Sequence, residues 1–444
     1  MVGTFEDKFI KRSNESSALF HYFPGAIYEF RDRVWRVKEM HGNIPGHIHL
    51  GSDAFRELLK QLEEKGIRVQ NYSGLRTGIS EVYPMTWYCD NRSCNRFVTG
   101  HPKDRICTRC KKGQMHQIPL VVICDNCGNM DQLNARTCNQ HHDKSSLRLA
   151  RYEMEKVGTW RIICNECLEQ SAQRHGFQID DPASFRIYED EFRVSSDLDP
   201  GSVCRQCNAA RSTKDTKGKR VVPAGANVVA PAFMTTFDKD MENIMSSAKT
   251  RASQVMSYDD DMKIGFERIQ NVFGIKEIYL ADTIALNCTY GYRIGRYSND
   301  IPFQDGTIFL KSDPCEAVVI QFDDKKIPEI NRENILHAIS HALLQVAGYI
   351  TGLGNEVYRE FYHAPTCTVM IFTTEAGGCQ LLVQEPAKLT DWLKRSRAVV
   401  HECKNQCEQG CPWCLHLRTW QCSNLNRNLD RIGLSAMWDK KVGL

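Results

Sequence analysis

Paired cysteines constrain this chain more than any other feature. Of its 20 cysteines, 11 lie between Cys89 and Cys207, mostly as the pairs Cys89–Cys94, Cys107–Cys110, Cys124–Cys127, Cys164–Cys167 and Cys204–Cys207. Thiolates separated by two to four residues reach one side of a tetrahedral zinc, and a second pair completes it. Thiols scattered through ordinary cores have no reason to fall in such pairs. The pattern therefore predicts small metal-held modules, in which the ion replaces a core that short strands cannot build. The N-terminus, MVGTFEDKFIKRSN, has no apolar export stretch, and no later run approaches the ~20 residues that span a bilayer. The expected compartment is the reducing cytoplasm, where paired cysteines ligate metal rather than form disulfides, and no membrane partner is expected.

Spacing predicts four zinc ions per chain. Cys89, Cys94, Cys107 and Cys110 have the form of a zinc ribbon. Cys124 and Cys127 are expected to be completed by Cys138 and by His141 or His142. Cys164 and Cys167 are expected to join Cys204 and Cys207 across an insertion whose acidic run, Glu189-Asp190-Glu191, reads as a solvated face. Near the C-terminus five thiols compete for four places. Cys407, Cys411, Cys414 and Cys422 are the expected ligands, with Cys403 as the spare. Cys411-Pro-Trp-Cys414 has the spacing of a redox pair, but three further flanking cysteines favour metal. Cys288, Cys315, Cys367 and Cys379 are unpaired and read as core residues.

A chain of 444 residues, 42% hydrophobic and 25% charged, has room for several domains of ordinary globular composition. The expected class is α+β and multi-domain. An N-terminal α+β segment (1–85) is followed by zinc-ribbon modules (86–230) and a mixed α/β domain (231–444) with a C-terminal four-cysteine zinc site. A helix is expected from Ser52 or Asp53 to Gly66, and a helical connector over 237–265. Strands are expected at Ile275–Ala285, Ala317–Phe322 and Val369–Thr373, and helices over 332–349 and 390–402.

The net charge of +3 gives no global field for nucleic acid. Any DNA contact must come from local cations, for which the candidates are Lys214, Lys217, Lys219 and Arg220 after Cys207, and Arg293 and Arg296 in Tyr290–Arg296, expected to be a glycine-bracketed loop. His337 and His341 stand four apart on one helical face, expected to lie opposite its apolar stripe. The glutamate of an HExxH metalloprotease motif is replaced by Ala338, and Glu356 and Glu360, on an expected second helix, are the nearest carboxylates.

Several segments together resemble one family. His337-Ala-Ile-Ser-His341-Ala-Leu, Glu356-Val-Tyr-Arg-Glu360-Phe-Tyr, Gly377-Gly378, Gly410-Cys411-Pro-Trp-Cys414 and Leu429-Asp430-Arg431 resemble the zinc-binding domain at the C-terminus of superfamily-two repair helicases of the MrfA type. Phe23-Pro24-Gly25-Ala26, Tyr83-Pro84 and Tyr292-Arg293 resemble its stand-alone, DrmB-like form, a component of DISARM anti-phage defence. The resemblance implies a zinc site in the tail, a superfamily-two DNA helicase as partner, and DNA. No G-x-x-x-x-G-K-[ST] phosphate loop occurs, so the motor is expected on a separate chain. A non-enzymatic accessory subunit is the expectation. The alternatives are a metal-dependent nuclease or hydrolase built on His337 and His341, and a purely structural assembly subunit.

Overall fold

The computed structural model describes residues 8–12, 21–41, 52–74, 77–153, 155–180, 186–210, 218–225, 228–246, 269–297, 299–418, 421–422 and 426–438. Lys214, Lys217 and most of the expected connector 237–265 lie outside them. The chain forms two compact units from interleaved segments. The first comprises Met1–Asn43, Ser73–Ala232 and Tyr290–Asp305, and the second Ile44–Tyr72, Phe233–Thr289 and Gly306–Leu444. Among the described residues, no helix is long and apolar enough to cross a membrane.

The first unit is built of small antiparallel sheets. Lys8–Arg12, Thr77–Val82, Arg33–His41 and Ile27–Phe30 form a four-stranded sheet in that order. Its hairpin turns at Arg31 and Asp32, both with positive φ, the conformation that two-residue hairpin turns require. Three small ladders carry the cysteines. Phe97–Thr99, Thr86–Cys89 and Met115–Gln117 make one; Met130–Gln132, Leu120–Cys124 and Lys219–Pro223 make the second; Leu147–Arg151 and Trp160–Cys164 pair as the third. A shared core of Phe97, Leu120, Val122, Leu149, Ile162, Ile163, Leu168 and Phe192 lies beneath them.

The second unit is a sheet with two buried faces. Antiparallel ladders join Ile275–Ile294 to Thr307–Phe322, that strand to Thr368–Thr373, and Thr368–Thr373 to Tyr358–His363. Alternate residues point to opposite faces of a strand. Ile278, Leu280, Val318, Ile320, Val369 and Ile371 therefore meet the helix Arg332–Thr351, while Tyr279, Ala281, Ala317, Val319, Met370 and Phe372 pack with Phe237, Met241 and Ile244. With both faces covered, the strands read as near-continuous apolar runs rather than as an alternating pattern. The helix Asp53–Glu64 is capped as expected, Ser52 Oγ accepting from the Phe55 amide at 3.2 Å, and Gly66 follows it at φ +74°.

Two expected elements differ. Tyr290–Ile294 is not a loop but the end of the strand Ile275–Ile294, with Gly291 and Tyr292 paired to Pro302 and Ile301. A Cβ at Gly291 would sit 2.3 Å from the Ile301 oxygen, so this glycine serves close strand approach. Glu356 lies in a 3-10 turn and Glu360 on the strand Tyr358–His363, not on a second helix. Edge pairing with Thr368–Thr373 overrides any helical preference there.

Candidate metal centres

Among the described residues, five groups of side chains bring four ligand atoms within 4.8 Å of one another. Four are sulfur-rich. A zinc–sulfur bond of ~2.3 Å at tetrahedral angles places two ligand sulfurs ~3.8 Å apart, whereas a disulfide joins them at ~2.05 Å. Cys89–Cys110 and Cys94–Cys107 stand at 3.6 and 3.8 Å, which fits one ion and excludes a disulfide.

The next two centres interleave, correcting the order expected from sequence. Cys124 and Cys127 meet Cys204 and Cys207, with Sγ–Sγ distances of 3.6 Å for Cys124–Cys207 and 3.7 Å for Cys127–Cys204. The cause is the ladder that pairs Lys219 with Cys124 and Pro223 with Leu120, drawing the later knuckle back to the earlier one. Cys138 and His141 meet Cys164 and Cys167 instead. Here the hairpin pairs Leu147 with Cys164, a local closure that returns the chain beside Cys138. His141 Nδ1 lies 3.4 and 3.3 Å from the Cys164 and Cys167 sulfurs, and its Nε2 faces Glu166 at 3.3 Å. A carboxylate behind a ligating histidine fixes the ring and raises its basicity.

One backbone rule decides between His141 and His142. In five of the knuckles the residue after the second ligand takes positive φ: Asn95, Lys111, Gly128, His142 and Asn208. In four of these turns its amide donates to the carbonyl of the first ligand, as Lys111 to Cys107, Gly128 to Cys124, His142 to Cys138 and Asn208 to Cys204. His142 occupies this turn position and is exposed, whereas His141 is the histidine that stands with the three sulfurs.

In the tail the four sulfurs are Cys403, Cys407, Cys411 and Cys414, at separations of 3.5–3.8 Å. Cys403 is therefore a member, and Cys422 is not. The knuckle is tied to the helix Arg332–Thr351, because His341 Nδ1 donates to the Leu415 carbonyl and Gln345 to that of His416. Arg431 donates to the carbonyls of Cys407 and Val400. Cys422 joins the fifth group, with His337, His341 and Glu360. All three of Cys422, His337 and His341 are fully buried, and the Glu360 side chain is 4% exposed. The histidines do not face away from the core, since the tail covers the side of the helix that the sheet leaves open.

In each tetrad one thiol is lowered while burial raises others, such as Cys94, Cys124, Cys164 and Cys407. Burial raises the thiols of Cys110, Cys138 and Cys403, yet amides and neighbouring sulfurs outweigh it and bring each down to about 6. At Cys207 the Asn126 amide leads the same lowering, to about 6. In the fifth group burial brings His337 down to about 4 and His341 well below the usual value, so both imidazoles are neutral and offer lone pairs. Burial raises the Glu360 carboxyl to about 7, opposed by its hydrogen bond from Ser340.

Of the expected DNA-contacting cations, three are engaged internally. Lys219 is buried on Asp197 at 2.6 Å, and Arg220 is paired with Asp125 at 2.5 and 3.0 Å. Buried Arg293 pairs with Asp300. Arg296 is exposed. Glu189 and Glu191 are not a simple solvated face, as they pair with Arg161 and with Arg174 and His175. Sequence reading missed Arg148, which is 1% exposed and donates to the carbonyls of Arg92, Ser93 and Ile179, bracing the Cys94 knuckle. An arginine in the apolar run Leu147–Ala150 was the available signal.

No curated protein matches the chain. A solved structure described as "Crystal Structure of DUF1998 helicase MrfA bound to DNA" aligns with a TM-score of 0.27 and 11% identity, over 56% of this chain and 32% of that one. Residues 14–255, more than half of the 444, match the family described as "Domain of unknown function (DUF8724)", and the chain belongs to that family.

Proposed function

We propose that the chain is a non-catalytic, zinc-scaffolded accessory subunit that binds a separate superfamily-two DNA helicase and helps it engage DNA, in bacterial anti-phage defence of the DISARM type. Closure of the metal centres is the observation that favours binding over catalysis. A catalytic zinc keeps three protein ligands and a position open to substrate. Each sulfur-rich group here supplies four ligands. The His337 group, where hydrolysis would have to occur, has no surface at His337, His341 or Cys422 for a substrate to reach.

The helicase partner follows from the motif resemblance, and the placement of those motifs supports it. His337–Leu343, Glu360, Gly377-Gly378, the Cys411–Cys414 knuckle and Asp430-Arg431 surround one helix. Tyr358 donates to the Gly378 carbonyl at 3.0 Å, and the Asp430 amide to that of Asn334 at 3.2 Å. In the first unit the Tyr292 ring lies against Gly25, and Arg36 covers the Tyr83 ring at 4.0 Å.

Since Lys219, Arg220 and Arg293 are neutralised internally, DNA contact falls to exposed cations. Arg296 is one. Lys103, Lys111 and Lys112, exposed at the Cys107–Cys110 knuckle, form a local cluster of others. The test is co-purification with the helicase, followed by DNA titration of the complex over a salt series. Replacing Lys103, Lys111 and Lys112 together with Ala should shallow the slope of log affinity against log salt by about 2–3. An unchanged slope and affinity would move an assembly role without DNA contact into first place. Loss of a hydrolytic activity on replacing His337 would favour the hydrolase instead.

A further inference from the structure

We propose that His337, His341, Glu360 and Cys422 hold a fifth metal ion, in a closed site of two imidazole nitrogens, one carboxylate oxygen and one thiolate. The hydrogen bonds around His341 lead to it. Its Nδ1 lies 2.7 Å from the Leu415 carbonyl oxygen, which only accepts, so Nδ1 carries the proton and Nε2 the lone pair. That Nε2 is buried and has no hydrogen-bond partner. The nearest carboxylate oxygen, Glu360 Oε1, is 3.9 Å away, beyond hydrogen-bond range. Glu360 is oriented in turn, with Oε2 accepting from Ser340 at 2.9 Å and Oε1 left facing the histidine.

A single cation resolves this arrangement. Ligand nitrogen and sulfur on one tetrahedral zinc stand ~3.5 Å apart, and nitrogen and oxygen ~3.3 Å. His337 Nε2 lies 3.3 Å from Cys422 Sγ, and all four ligand atoms fall within 4.8 Å of one another. Closing the shell around an ion would bring His341 Nε2 and Glu360 Oε1 together by ~0.6 Å, from 3.9 Å. The second imidazole nitrogen of His341 is already bound to a carbonyl, the outer contact that orients a ligating histidine.

The charge of this shell suits its burial. A divalent ion with one thiolate, one carboxylate and two neutral imidazoles is neutral, whereas four thiolates around zinc carry two negative charges. Burying net charge is unfavourable, and a neutral shell avoids that cost where His337, His341 and Cys422 are fully buried. Mixed nitrogen, oxygen and sulfur donors in a closed tetrahedral shell suit zinc among the divalent ions. The ion would join three parts of the second unit: the helix Arg332–Thr351, the strand Tyr358–His363 and the tail at Cys422. This inference does not depend on a helicase partner or on DNA.

The test counts zinc on the full chain by native mass spectrometry and elemental analysis. Wild type should carry five equivalents. Cys422→Ser and Glu360→Gln should each carry four, and the His337→Gln/Cys422→Ser double variant also four, because both residues serve one ion. Cys403→Ser/Cys422→Ser should carry three. A folded Cys422→Ser chain with the wild-type count would overturn the proposal. If the variants fail to fold, the wild-type count decides: five equivalents support the site, and four or fewer in zinc-saturated folded protein overturn it.

Discussion

The interleaving of the two inner centres yields a sharp prediction. Cys127 and Cys204, 77 positions apart, stand in one ligand group, while His141 and Cys164, 23 apart, stand in another nested inside that span. A cross-link over 77 residues removes ~4.5 kcal/mol of chain entropy from the unfolded state at 25 °C, and one over 23 residues ~3.4 kcal/mol. Losing the outer ion should therefore destabilise the first unit by ~1 kcal/mol more than losing the inner one, on this term alone. Metal counting separates the two possible groupings without any stability measurement. Under the interleaved arrangement, Cys127→Ser/Cys204→Ser loses one equivalent because both thiols serve one centre, and Cys164→Ser/Cys204→Ser loses two. Grouping in chain order predicts the reverse. The assay is elemental analysis of gel-filtered protein, with circular dichroism confirming a fold. The interleaved reading is refuted if the first double variant loses two equivalents and the second only one.

Three further outcomes follow from named contacts. Cys403→Ser should lose one equivalent of metal, since Cys403 stands 3.6 Å from Cys411; an unchanged count would return it to the role of spare thiol. Asp125→Ala should cost about 3 kcal/mol in urea unfolding, because buried Asp125 accepts from Arg220 and from the Arg296 amide at 2.8 Å. Less than 1 kcal/mol would mean that water replaces the carboxylate. Gly128→Ala should cost about 2 kcal/mol or more, as Gly128 has φ +71° and a Cβ would sit 2.6 Å from the Tyr297 ring. Adding Tyr297→Ala should recover only the part due to the clash.

Spacing along the chain marked most of the candidate metal ligands but not how they group, and in the tail it favoured Cys422 where Cys403 belongs. Close spacing in the chain identifies a half-site, because two thiols two to four residues apart can face one ion whatever the rest of the fold does. Joining half-sites needs long-range pairing. The ladder between Lys219–Pro223 and Leu120–Cys124, and the hairpin between Leu147–Arg151 and Trp160–Cys164, made those choices. The same limit applied to charge. Lys219, Arg220 and Arg293 look like free cations along the chain, and only folding sets Asp197, Asp125 and Asp300 against them. His337 and His341 were visible as a pair at helical spacing. Glu360 and Cys422 were visible as a nearby carboxylate and a tail thiol, but only the strand Tyr358–His363 and the return of the tail bring them to the histidines. Helix periodicity and capping are local physics and were readable, as at Ser52 and in the helix Arg332–Thr351. Where non-local strand pairing decides which distant half-sites share an ion and which charges cancel, only the tertiary structure carries the answer.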